Sequence, residues 1–183
     1  MKKLPKNHII SVCFFLLYSL IFVFCFLFGY PMPRSVVLLC YFAVLAFTFL
    51  HRLKTSYFLT VHIFTFVSEL LGTGFGFYRI FPRYDIFLHF SSGILLFIFG
   101  LYVFSCLSKI NDVKTQTLFS FLFSLSGATV WEIWEYFGDV IFHLNSQGTL
   151  GDTMEDVIAG ALGGLIAYSV YIFIKKKRPD EKF

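Results

Sequence analysis

The 183-residue chain is 57% hydrophobic and only 14% charged, with 27 Phe and a mean hydropathy of +0.76, whereas soluble domains are roughly one-quarter charged. Apolar runs near or above the roughly 18 residues that cross a bilayer recur along almost the whole length. A separate soluble domain is excluded, and residues 1–183 read as one integral membrane domain. The net charge of +4 includes only a short basic tail, which gives nucleic-acid binding no support.

The first apolar run, 9–28, follows Lys2, Lys3 and Lys6 as a signal peptide would. It leads into Gly29-Tyr30-Pro31-Met32-Pro33 without a small-x-small cleavage pattern, so it reads as a retained span. The second run, 35–50, rises only about 24 Å and needs Arg34 or His51 as snorkelling ends to cross a core of about 30 Å. The third, 57–77, sets His62 and Glu69 seven residues apart on one face. There Gly72-Thr73-Gly74-Phe75-Gly76 is expected to loosen the helix just beyond Glu69. Glu69 groups with the deep acids, and His62 reads as structural.

The fourth run, 86–107, begins beside Asp85, which stands one turn before His89, with Ser92 and Gly93 following. One face therefore offers a carboxylate, an imidazole and a hydroxyl. The fifth, 117–142, holds Glu132, Glu135 and Asp139 at i, i+3 and i+7, within about 60° of one another. Trp131 and Trp134 flank them. Glu135 lies about 10 Å and Glu132 about 15 Å along the helix from Phe142, so these carboxylates occupy depths where ionisable groups usually mark function. The sixth run, 153–174, carries a small-residue stripe, Gly160, Gly163, Gly164 and Ala167, suited to close helix approach. Asp156 and Asp152 extend that stripe. Asp152 with Glu155 also resembles a capping box after the turn-forming residues 147–151.

The pattern predicts an all-α, polytopic six-transmembrane-helix bundle with cytoplasmic N- and C-termini. Of the 15 Lys and Arg, this topology leaves only Arg34, Arg79 and Arg83 outside, a positive-inside bias that fits a multi-pass protein of the inner or plasma membrane. The four cysteines, Cys13, Cys25, Cys40 and Cys106, fall within spans and read as small apolar residues without a disulfide. The acids gather toward the outer side as a funnel. Asp85, Asp139, Asp152 and Asp156 form its mouth, with His89 and Glu135 below and Glu69 and Glu132 at the bottom. Carboxylates this close must be protonated, paired with Arg79 or Arg83, or bridged by a cation.

Three ordered motifs carry a resemblance. They are Tyr84-Asp85-x-x-x-His89-Phe90-x-x-Gly93, Trp131-Glu132-x-x-Glu135, and Gln147-Gly148-x-x-x-Asp152-Thr153-x-x-Asp156. They resemble the small bacterial inner-membrane proteins of the YjdF type and are more distantly similar to the VanZ-like family, whose Glu-x-x-Gln is here Glu132-x-x-Glu135. The likeness covers about residues 59–167. It implies a polytopic fold and motif positions at Asp85, His89, Glu132, Glu135, Asp152 and Asp156, and no particular reaction.

The function expected first is a metal-dependent hydrolase of the cell envelope working at the outer leaflet. His89 with two or three of Glu132, Glu135, Asp139 and Asp156 would hold Zn or Mn/Mg. A remaining carboxylate would act as general base, with Glu132, Glu135 and His89 as the catalytic candidates. Trp131, Trp134 and the Phe-rich walls would accept a lipid-like substrate. The alternatives are an envelope binding or scaffold role, in which acids and arginines form a structural network, and cation or proton translocation through Glu69, Glu132 and His89.

Overall fold

The computed structural model describes residues 6–49, 53–108, 112–144 and 146–177. The described residues are helical apart from their connections, with no strand among them. The chain divides into two compact units, Met1–Tyr84 and Asp85–Phe183. Several charges used above for orientation, including Lys2, Lys3, Arg52, Lys109 and Arg178, and the end of the second run at Leu50 and His51, lie outside the described residues.

The first unit contains α1 (Lys6–Leu27), α2 (Arg34–Phe49) and α3 (Thr55–Thr65). α3 runs on into a π-helix, Phe66–Gly74, and is followed by the single turn α4 (Phe77–Ile80). α1 stops where Gly29 turns left-handed at φ 69, a conformation glycine adopts without a Cβ penalty. Tyr30 N–H then closes the end on the Cys25 carbonyl at 2.8 Å.

Parallel pairing of α1 with α3 and its π continuation follows from contacts in ascending order along both. The Asn7 amide donates to Leu53 O at 2.8 Å, Phe14 stacks on His62 at 4.7 Å, Tyr18 stacks on Phe66 at 6.2 Å, and Tyr30 OH donates to Gly74 O at 3.2 Å. α2 returns antiparallel, with Tyr41 OH 2.9 Å from Ser19 Oγ. Tyr18, Val36, Cys40, Val44 and Leu70 form the buried core between these helices.

An ordinary helix loosened only after Glu69 is what the glycines suggest, and here the structure differs. The backbone widens from Phe66, before Glu69, and the wide turn closes with Phe75 N–H on Leu70 O at 2.8 Å, a five-residue step. The π-helix ends at Gly74, and Gly76, just before α4, is left-handed at φ 76. Such π segments are uncommon and concentrate at functional positions.

The second unit is built from α5 (Tyr84–Leu107), α6 (Val113–Phe142) and α7 (Leu150–Lys177). Asp112 caps α6 by accepting from Thr115 Oγ1 at 2.6 Å and from Thr115 N–H at 2.8 Å. These hydrogen bonds hold its exposed carboxyl below the usual carboxylate range. At the start of α7 the cap is Thr149, whose hydroxyl accepts from Asp152 N–H at 3.2 Å. The capping pair expected at Asp152 and Glu155 is thereby displaced by one turn: Asp152 already lies inside the helix, and the turn residue Thr149 does the capping.

Glycine sets the spacing of this unit. A Cβ on Gly93 would collide with the Gly160 carbonyl, and one on Gly163 with the Phe90 carbonyl, so α5 and α7 meet backbone to backbone. A Cβ on Gly160 would lie 2.7 Å from Ala128 Cβ, and one on Gly164 2.6 Å from Ser124 Oγ, which brings α6 into the same crossing. Ser124 Oγ closes the contact by donating to Gly93 O at 2.7 Å. Without a hydrophobic drive between helices in lipid, close small-residue packing of this kind holds them together.

Three described helices, α1, α5 and α7, are long and apolar enough to cross a membrane. α2 is apolar but has only 16 residues. α6 has 30 residues, about 45 Å of helix, and its acids and hydroxyls interrupt the apolar surface.

Candidate functional site

His89 and Asp156 stand four residues before Gly93 on α5 and Gly160 on α7, and Glu132 four residues after Ala128 on α6, each one of the small residues of the crossing. Four residues are about one helical turn. The three side chains therefore project into the same layer, one turn from the point where the backbones are forced together. Close packing of small residues is thus the local cause of the polar cluster.

In that layer the imidazole of His89 is the hub. Its Nε2 lies 3.4 Å from Asp85 Oδ1 and 4.0 Å from Asp156 Oδ1, while its Nδ1 lies 3.5 Å from Glu132 Oε1. His89, Glu132 and Asp156 are buried, and Asp85, with 42% of its side chain exposed, is the open edge of the group. Both oxygens of Glu132 and Oδ1 of Asp156 are fully buried and have no hydrogen-bond partner among the described residues. Burying carboxylates without a counter-charge or hydrogen bonds costs several kcal/mol per ion. The arrangement calls for a cation or protons.

One ligand atom each from Asp85, His89 and Asp156 lies within 4.8 Å of the others. Around a tetrahedral ion with bonds of about 2.1 Å, neighbouring ligand atoms sit about 3.4 Å apart. The 3.4 Å and 4.0 Å separations at Nε2 approach that spacing. The group is compatible with a metal ion, and one imidazole with two carboxylates suits Zn or a harder divalent ion. Glu132 stands on the other side of the ring, where a carboxylate fixes the orientation of a ligating histidine through Nδ1–H.

The remaining expected site residues have other positions. Glu135 is half-buried, and its Oε1 accepts from Trp131 Nε1 at 2.8 Å. Trp131 and Trp134 are exposed on α6. Asp139 accepts from Ser146 N–H at 2.7 Å, Ser146 Oγ at 2.8 Å and Gln147 N–H at 2.9 Å, tying down the connection between α6 and α7. Asp152 is exposed on the first turn of α7, its carboxylate against Gly148. Glu69, Arg79 and Arg83 belong to the first unit: Glu69 is half-buried in the π-helix, Arg79 lies beside Gly76, and Arg83 is exposed with φ 65.

Asp85, expected at the funnel mouth and outside the ligand set, stands in the ligand group. Its i, i+4 relation to His89 was the available signal. Ser124 and Ala128 also enter the crossing, and the i, i+4, i+8 run of small residues Ser120, Ser124 and Ala128, all buried on α6, is the signal from which it could have been read.

An all-helical membrane protein with a buried carboxylate and imidazole group at one end of three glycine-packed helices is the class defined by these features. Over residues 10–177 the chain matches the family described as "Predicted membrane protein (DUF2238)", and it belongs to that family. No curated protein and no solved structure matches it.

Proposed function

We propose that the protein binds a divalent metal ion through Asp85, His89 and Asp156, and that the bound ion serves hydrolysis of a lipid or other envelope substrate. The observation that carries this reading is the pair of buried, unpartnered carboxylates, Glu132 and Asp156, on opposite sides of one imidazole. Asp85, His89, Glu132 and Asp156 are also motif positions in the resemblance to the YjdF-type proteins, which supports treating them as one unit.

Asp85, His89 and Asp156 would be three protein ligands, the number that catalytic rather than structural zinc sites use. A bound divalent ion supplies Lewis acidity and acidifies that water. Asp85, His89 and Asp156 hold the ion. Glu132 keeps Nδ1 protonated and so presents Nε2 to it. Glu135, one turn from Glu132 and held by Trp131, accepts the proton from water as it adds to the scissile carbonyl. The same proton then passes to the departing alcohol or amine.

The six-span topology with cytoplasmic termini belongs to this proposal. It sets the start of α5, the end of α6 and the start of α7 at the outer face of the inner membrane, where the basic residues are fewest. Near this end the second unit carries Asp85, Glu132, Glu135, Asp139, Asp152, Glu155 and Asp156. Such a field favours neutral or cationic substrates over phosphate esters. The test is release of fatty acid or peptide fragments from membrane substrates by metal-loaded protein. Turnover lost in Glu135→Gln with metal retained supports the assignment, and turnover unchanged in that variant contradicts it.

A further inference from the structure

The first unit contains a second buried polar group, which the metal reading does not use. Ser11 and Tyr18 lie on the buried side of α1, about 10 Å apart along its axis. Their hydroxyl oxygens, and both ring nitrogens of His62 on α3, are fully buried and have no hydrogen-bond partner among the described residues. Ser11 is 2% exposed, while Tyr18 and His62 are 0% exposed. His62 is enclosed by Phe14 at 4.7 Å and by Phe47 and Phe58, each at 4.9 Å.

These unpaired atoms follow the line along which α1 and α3 run parallel. Seven residues beyond His62 is Glu69, in the π-helix, within electrostatic reach of Tyr18 on α1 and Cys40 on α2. α1, α2 and α3 thus each bury a polar or titratable group here, Ser11 and Tyr18, Cys40, and His62, and half-buried Glu69 follows on the π-helix. In a membrane interior each unsatisfied polar group costs several kcal/mol, and such groups are normally met by water when protein supplies no partner. Chains of Glu and His within membrane helices are the usual material of proton relays.

We infer that this column is hydrated and conducts protons between the end of the unit marked by Asn7 and Leu53 and the Glu69 carboxylate. His62 accepts a proton on one ring nitrogen and releases one from the other. Ser11 and Tyr18 each donate one proton as they accept another, and the Glu69 carboxylate takes up the proton, becoming the carboxylic acid. The wide π turn beside Glu69 lets the carboxylate exchange that proton beyond the segment's end at Gly74.

The experiment uses the full chain in liposomes containing a pH-sensitive dye, driven by a potassium diffusion potential. Wild-type liposomes are expected to change internal pH faster than protein-free ones. His62→Phe, which fills the aromatic enclosure, is expected to return the rate to the protein-free level, and Glu69→Gln to lower it. Tyr18→Phe and Ser11→Ala remove single hydroxyls and are expected to slow the flux while leaving the protein folded. A wild-type rate equal to that of empty liposomes overturns the inference. So does a wild-type rate in His62→Phe that elutes normally, or in both hydroxyl variants.

Discussion

Glu132 Oε1 faces Nδ1 of His89 at 3.5 Å, on the opposite side of the imidazole from Asp85 and Asp156. Under the proposed metal binding, the relation gives different work to carboxylates that look equivalent in sequence. Two face the nitrogen that can bind an ion, and one faces the nitrogen that orients the ring.

Removing the orienting group should weaken the site without dismantling it. Losing an outer-shell partner of a metal-binding histidine typically costs about 10- to 100-fold in affinity. Glu132→Ala is expected to weaken Zn²⁺ binding by that order while stoichiometry at saturating metal is kept. Glu132→Gln, whose amide oxygen keeps an acceptor facing Nδ1, is expected to lose less. Isothermal titration in detergent measures both.

The glycine crossing makes a prediction that couples packing to binding. Gly163 has no room for a Cβ because the Phe90 carbonyl is already there, so Gly163→Ala must move α7 away from α5. Overpacking typically costs about 1–3 kcal/mol. A lower thermal midpoint and weaker metal binding are expected together. Gly151→Ala, where only Thr149 Oγ1 lies nearby at 3.6 Å, is expected to change neither much.

Asp139 provides the opposite dissociation. Its carboxylate is engaged with Ser146 and Gln147, and hydrogen bonds to a charged group contribute about 1.5–3 kcal/mol. Asp139→Ala is expected to loosen the connection at residues 146–149, with faster proteolysis there. Metal stoichiometry is expected to remain that of the wild type.

Asp112 sets a pH dependence away from the site. Its folded carboxyl is held down by the Thr115 hydrogen bonds, so its cap contribution is present above the unfolded carboxyl range, about pH 4. The contribution is lost as pH falls through the lower folded value. Hydrogen exchange at Thr115 is expected to be faster in Asp112→Ala than in wild type at neutral pH. The two rates are expected to converge in acid.

Much of this was legible because hydrocarbon makes polar residues conspicuous. Apolar runs announced the helices, and Glu132, Asp156 and His89 stood out as ionisable residues within them. The Gly160-Gly163-Gly164 stripe correctly pointed to close helix approach, with Asp156 on the same face. The division of labour was not legible. Glu135 and Asp139 share a helical face with Glu132, yet Trp131 engages one and the connection at Ser146 and Gln147 engages the other, and spacing alone contains neither partner. The early widening at Phe66 was equally hidden, since the glycines that suggested loosening lie toward the segment's far end.

Metal content of the purified protein tests the central claim most directly, measured by elemental analysis of wild type, His89→Ala and Asp156→Asn. One equivalent of Zn or Mn per chain in wild type, absent from both variants when each elutes as a folded species, is the expected result. A wild-type protein that folds normally, remains metal-free and takes up neither ion when supplied would contradict the metal centre and leave the carboxylates and His89 as a structural network.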